Sequence, residues 1–130
     1  MKAIYTAVLW PKDNGTGYFI KVPDVPGCAT SGKDLVEAME MMRDALAGCL
    51  CVLEDTGEAV PIPRLPASVA SEPGETLALI DVDTLKYRME TDNRAVRKNV
   101  SLPAWMATMA EKKGINCSQV LQDSLKKMIS

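Results

Sequence analysis

Ala95-Val-Arg-Lys-Asn-Val-Ser-Leu-Pro103 runs into two short helical patterns split at Gly114, and the whole reads as one strand leading into two helices. A lone strand with two helices cannot bury its own apolar face, because pieces this small are unstable in water by themselves. The segment makes physical sense when a second copy supplies the missing strand and the other half of the core. Val96, Val100 and Leu102 share one face of the strand with Lys98 between them, while Arg97, Asn99 and Ser101 share the other. Two such strands paired antiparallel about a two-fold axis make a ribbon narrow enough for the DNA major groove, where Arg suits guanine and Asn suits adenine. The same alternation also describes an edge strand with a solvated polar face.

The residues that follow favour the ribbon. Pro103 stands where a helix would start, and Leu102, Met106, Met109 and Ala110 continue an inward stripe up to Gly114. Asn116 or Ser118 can cap a second helix with Leu121, Leu125 and Met128 on its apolar face and Lys126 and Lys127 near its negative end. The first amides of that helix, around Asn116, Cys117 and Ser118, are placed to hold a DNA phosphate.

Ahead of this module lies a chain of opposite charge. Met1 to Glu90 carries 8 Lys and Arg against 14 Asp and Glu, a net −6, whereas Thr91 to Ser130 carries 7 against 3, a net +4, and the whole-chain value of −2 hides the division. The basic back is expected to meet a polyanion and the acidic front something neutral or basic. At 130 residues the chain is one ordinary domain or two small ones. A hydrophobic share of 47% with 25% charged residues argues against both a disordered tail and a membrane protein, and no apolar run approaches a bilayer span. The first residues lack a signal-peptide pattern, so the expected location is the cytoplasm. Cys28, Cys49, Cys51 and Cys117 form no CxxC pair and have no histidine to complete a zinc site, which leads to an expectation of reduced thiols, no metal and no cofactor.

The front reads as β-β-β-α-β. Lys2–Trp10 and Tyr18–Val22 flank turn residues, and Cys28–Ser31 is short enough for a third strand ending at Gly32. Connections this short make the three antiparallel. Asp34 with Glu37 is a capping-box arrangement, and Leu35, Met39, Met42, Leu46, Cys49, Leu50 and Leu53 predict one apolar helix face, with Gly57 as the stop. Val60-Pro-Ile-Pro-Arg-Leu-Pro66, continuing to Pro73-Gly74, is extended by its prolines and is not expected to form helix. Thr76–Val82, mostly apolar, is predicted as a strand central in its sheet, followed by a short turn of helix capped by Asp83 and reaching Tyr87. The expected division is a domain over 1–88, a linker over 89–94 and a second domain over 95–130.

Catalytic chemistry is missing from this pattern. There is no histidine for a triad, no acid between Met1 and Trp10 for a two-metal nuclease, and no GxxxxGK or GxGxxG phosphate loop. Asp13, Asp24 and Asp34 read most simply as solvated turn and cap residues.

Two resemblances cover nearly the whole chain. Arg97-Lys-Asn-Val-Ser-Leu-Pro-Ala-Trp105 with Gly114-Ile-Asn-Cys-Ser-Gln-Val-Leu-Gln-Asp-Ser-Leu125 resembles the ribbon-helix-helix repressors of the Arc/MetJ type. Gly17-Tyr-Phe-Ile-Lys-Val-Pro-Asp-Val-Pro-Gly-Cys-Ala-Thr-Ser-Gly32, then Glu37-Ala38, Asp55-Thr-Gly57-Glu58 and Pro61-Ile-Pro63, resembles the HicB antitoxins of HicAB type II toxin-antitoxin systems. The resemblance implies an α+β fold: a partial RNase H-like N-terminal domain without nuclease activity, and a C-terminal ribbon-helix-helix dimerisation domain. It further implies a HicA-type toxin, a small basic mRNA-cleaving protein, as partner, and repression of the shared operon at operator DNA by a homodimer joined through the C-terminal domain, or by a tetramer. Carried over residue by residue, the base readers are Arg97, Asn99 and Ser101. Lys98 departs from the pattern, since many ribbon strands put an apolar residue there. Tyr18, Asp24 and Pro26 are the candidate toxin contacts. Two rival readings stay open: a helix-turn-helix over Met109–Val120, which lacks the usual third helix, and an interaction module whose tail only dimerises.

Overall fold

The apolar run at the start of the chain becomes a ten-residue strand, β1 (Lys2–Pro11), in the computed structural model, which describes residues 1–130. With β2 (Tyr18–Lys21), β3 (Ala29–Gly32) and β4 (Thr76–Asp83) it forms an antiparallel sheet in the order β3-β2-β1-β4. Tyr5 lies opposite Ile80 and Leu9 opposite Ile20, so the inward positions of three strands form a row. That row packs against Met42, Leu46 and Leu50 of helix α1 (Leu35–Thr56) in a fully buried core.

The expected strand Thr76–Val82 is therefore present but at an edge, and β1 is central instead. Its apolar content does not reflect cover on both faces: Ile80 and Val82 are buried, whereas Leu79, on the other face, is 57% exposed.

Helix α1 has the anticipated ends. The Asp34 carboxylate accepts the Glu37 amide at 2.8 Å, and Gly57, at φ 73°, caps the C-terminus by donating its amide to the Leu53 carbonyl. The buried face is rotated from the predicted stripe toward small residues. Ala38, Ala47 and Cys51 are buried, while Leu35 is 52% exposed. Close approach explains the change: a Cβ on Gly32 would stand 2.3 Å from the Ala38 nitrogen, so β3 and α1 touch backbone to backbone.

The proline-rich stretch is extended apart from one 3-10 turn at Pro66–Ser68, started by a proline whose fixed φ suits a first turn. Asp83 caps helix α2 (Thr84–Thr91) by accepting the Lys86 amide at 3.2 Å. This helix continues past Tyr87 through three residues of the expected linker. Arg88 ties it to α1 through the Asp55 carboxylate at 2.9 Å and the Cys51 carbonyl at 3.2 Å.

The chain divides into two units, Met1–Asn93 and Arg94–Ser130. The second holds α3 (Ala104–Lys112) and α4 (Cys117–Ile129). Gly114, at φ 67°, turns the chain between them, and the Ile115 amide closes back onto the Ala110 carbonyl at 2.9 Å. Ala95–Leu102, expected as a strand, is not one here, because a ladder needs a second strand and none of the chain's strands pairs with it. No helix is long and apolar enough to cross a membrane.

Candidate functional site

The second unit wears its core on the outside. All its residues are exposed except the half-buried Ala110, including Val100, Leu102, Met106, Leu121 and Leu125 of the predicted inward stripe. Lys98, Val100 and Leu102 line a groove of about 470 Å³ together with Met106, Ala110 and Leu121. The alternation read from the sequence is thus present in space. Lys98 lies on the groove side, whereas Arg97, Asn99 and Ser101 are exposed and take no part in the lining. Of the two cap candidates Asn116 serves, its side chain accepting the Gln119 amide at 3.1 Å. Cys117 and Ser118 open α4 and line the same groove. Divided at Asn93, the first unit carries 8 basic against 15 acidic residues and the second 7 against 2, or −7 and +5.

The first unit places Tyr18, Asp24 and Pro26 in three different settings. Tyr18 is half-buried at the start of β2, paired with Pro11 and Gly32. Pro26 is exposed at the tip of the Pro23–Gly27 turn. Asp24 is not an open contact: its side chain is 5% exposed and both oxygens are engaged by Arg64. Oδ2 accepts the Arg64 amide at 2.8 Å and Oδ1 accepts from the guanidinium Nε. Burial works against ionisation of Asp24, yet the amide, the guanidinium hydrogen bond and the charge of Arg64 outweigh it and hold the carboxyl below the ordinary range.

Asp24 is an anchor for the segment that joins α1 to β4. A second anchor is the Tyr5 hydroxyl, which donates to the Pro61 carbonyl. Burial and the nearby Asp24 charge both raise the Tyr5 pKa, which keeps the hydroxyl protonated as that donor. A third is Val69, buried in the same segment. Between the anchors Ile62 and Leu65 stand 86% and 75% exposed. Sequence reading passed over these two residues, although Pro61, Pro63 and Pro66 around them signal a stiff exposed strand.

No group of three or more His, Cys, Asp or Glu is placed to hold a metal ion. Burial pushes the Cys28 thiol up to about 12, with the neighbouring Cys49 adding to the shift, so Cys28 stays a protonated apolar group at neutral pH.

The sequence pattern of the family described as HicB_like antitoxin of bacterial toxin-antitoxin system matches residues 5–123. The antitoxin HicB 1 of Photorhabdus laumondii is 36% identical over 76 residues, 52% of this chain and 48% of that protein, so the chain spans about half the length of this relative. Among solved structures, a chain of a toxin-antitoxin complex from Streptococcus pneumoniae superposes with a TM-score of 0.62 at 22% identity, covering 98% of this chain and 99% of that one. The antitoxin HicB of Burkholderia pseudomallei gives 0.56 at 23% identity, covering 98% and 99%. At these identities the two structures speak for the fold.

Proposed function

This chain belongs to the HicB-like antitoxin family of bacterial toxin-antitoxin systems, and from that premise we propose that it neutralises a HicA-type mRNA-cleaving toxin by direct binding and represses its own operon by DNA binding. The first unit, acidic and without catalytic groups, covers the RNA-cleaving surface of a basic toxin. Inhibition is occlusion, with no bond made or broken by this chain. The second unit pairs with its twin through the strand around Lys98–Leu102. The resulting ribbon presents Arg97, Asn99 and Ser101 to operator bases, and the α4 starts at Asn116–Ser118 hold the flanking phosphates.

The observation that carries this reading is the solvent-open groove of the second unit. Its apolar side contains Val100 and Leu102, 58% and 45% exposed, beside Leu121, 37% exposed. A patch of that size on a unit with no other core is a surface awaiting a copy of itself. The net +5 of the same unit supports a polyanion as the further partner.

The test is a mobility shift on the chain's own promoter together with calorimetry against the co-encoded small protein. Specific retardation that falls steeply with salt is expected, as is tight binding of the small protein at low salt. Retardation unchanged by alanine at both Arg97 and Asn99 would transfer base reading to the helices. Absence of heat with the co-encoded protein would remove the toxin role.

A further inference from the structure

We propose that the pinned segment Val60–Pro66 is the surface by which the first unit grips its basic protein partner, with Ile62 and Leu65 as the two side chains that enter it. The proposal rests on the toxin-binding reading and supplies the site that reading leaves unlocated.

Exposure comes first. A large aliphatic side chain 86% exposed at Ile62 and another 75% exposed at Leu65, three residues apart, are the most solvent-accessible apolar groups of the first unit. Single exposed apolar residues are ordinary, but a pair on an anchored segment is not.

The rigidity is built by chemistry that has no other evident use. The Tyr5 hydroxyl holds the Pro61 carbonyl, the Asp24 carboxylate holds both the amide and the guanidinium of Arg64, and the Ser68 amide returns to the Leu65 carbonyl at 2.8 Å. Pro61, Pro63 and Pro66 limit the backbone between those points. Ile62 and Leu65 are therefore held in place before any partner arrives, and little ordering entropy remains to be lost on binding.

Charge selects the partner. Between Gly57 and Glu75 the chain carries Glu58, Glu72 and Glu75 against the single cation Arg64, and Asp24 neutralises that cation. An apolar pair on an acidic stretch, in a unit of net −7, fits a protein with an apolar pocket inside a basic surface, which is the character of a small enzyme that binds RNA. A second copy of this chain would bring the same carboxylates against themselves. Asp24 thus contributes from behind the surface, as the clamp that presents Ile62 and Leu65.

The experiment is calorimetry of the full chain against the purified co-encoded toxin, comparing wild type with the double variant Ile62→Asp/Leu65→Asp. Both sites are solvent-exposed, so the variant should keep its circular dichroism, its dimer and its promoter shift. Toxin affinity is expected to fall at least 100-fold. Variant affinity within about threefold of wild type, with wild type binding tightly, would overturn the strap as the site and leave the antitoxin reading standing. Failure of wild type itself to bind would overturn both. The milder Ile62→Ala/Leu65→Ala pair should lose about tenfold, which separates lost apolar contact from introduced charge.

Discussion

The two units solve the same problem in opposite ways. Met1–Asn93 closes on itself: Tyr5, Ile20, Met42, Leu46, Leu50 and Ile80 have no solvent exposure. Arg94–Ser130 carries an equally regular apolar stripe and buries almost none of it. Both patterns look alike in sequence, so periodicity reports where apolar residues face and is silent about whose atoms cover them. Stability of the first unit is a property of one chain, whereas under the proposed pairing that of the second depends on chain concentration.

The comparison breaks most decisively at Leu121. Leu121→Asp places an unpaired charge in the proposed dimer core, and a loss of more than about 4 kcal/mol in association is expected. Analytical ultracentrifugation should find monomers, while the near-ultraviolet signal of the first unit persists. A dimer surviving this change would locate self-association elsewhere.

Gly32→Ala probes the other side. Its new Cβ would sit 2.3 Å from the Ala38 nitrogen and 2.7 Å from its Cα, so β3 must move off α1 at a cost of about 3 kcal/mol. Denaturant unfolding should show the loss in the first unit alone. Equal loss in both transitions would mean that the units are thermodynamically one.

Smaller still is Arg97→Ala, for which operator affinity should drop by about 2 kcal/mol with dimerisation unchanged. A matching loss on unrelated DNA would reduce Arg97 to a phosphate contact.

The smallest expected effect is at Asp24. Its pKa is lowered in the folded state, so its contribution is complete above the unfolded value of about 3.9 and is lost as pH falls through the lower folded value. Asp24→Asn should cost about 1 kcal/mol at neutral pH, because Arg64 stands half in solvent. The same variant should flatten the acid limb of the stability curve below about pH 4, and an unaltered limb would assign that limb to other carboxylates.

Much of the frame was legible because it is local. The Asp34 cap, the Gly57 stop, the Asp83 cap and the turn at Gly114 each depend on groups no more than five residues from their partners. What escaped is long-range. Arg64 meets Asp24 across 40 positions, and no spacing rule connects a proline-rich stretch to a turn that far upstream. The place of β4 escaped for a related reason: an apolar strand is compatible with a centre or an edge, and what decides is that β4 has one neighbour, β1. Arg88 likewise ties α2 to Asp55 and Cys51 of α1, contacts that the sequence of 89–91 does not disclose. In the second unit the two sides of Ala95–Leu102 were separable by simple alternation, and the groove lining follows it.

The pairing of β1 with β4 also sets an order of events during synthesis. Lys2 lies opposite Asp83 and Leu9 opposite Thr76, so the central strand waits for residues made 67 to 81 positions later. Loop closure over that distance precedes any reward from the pairing. Until Asp83 has left the ribosome, the long edge of β1 remains an open template. The first unit therefore becomes a finished object only near the moment when the second begins to emerge.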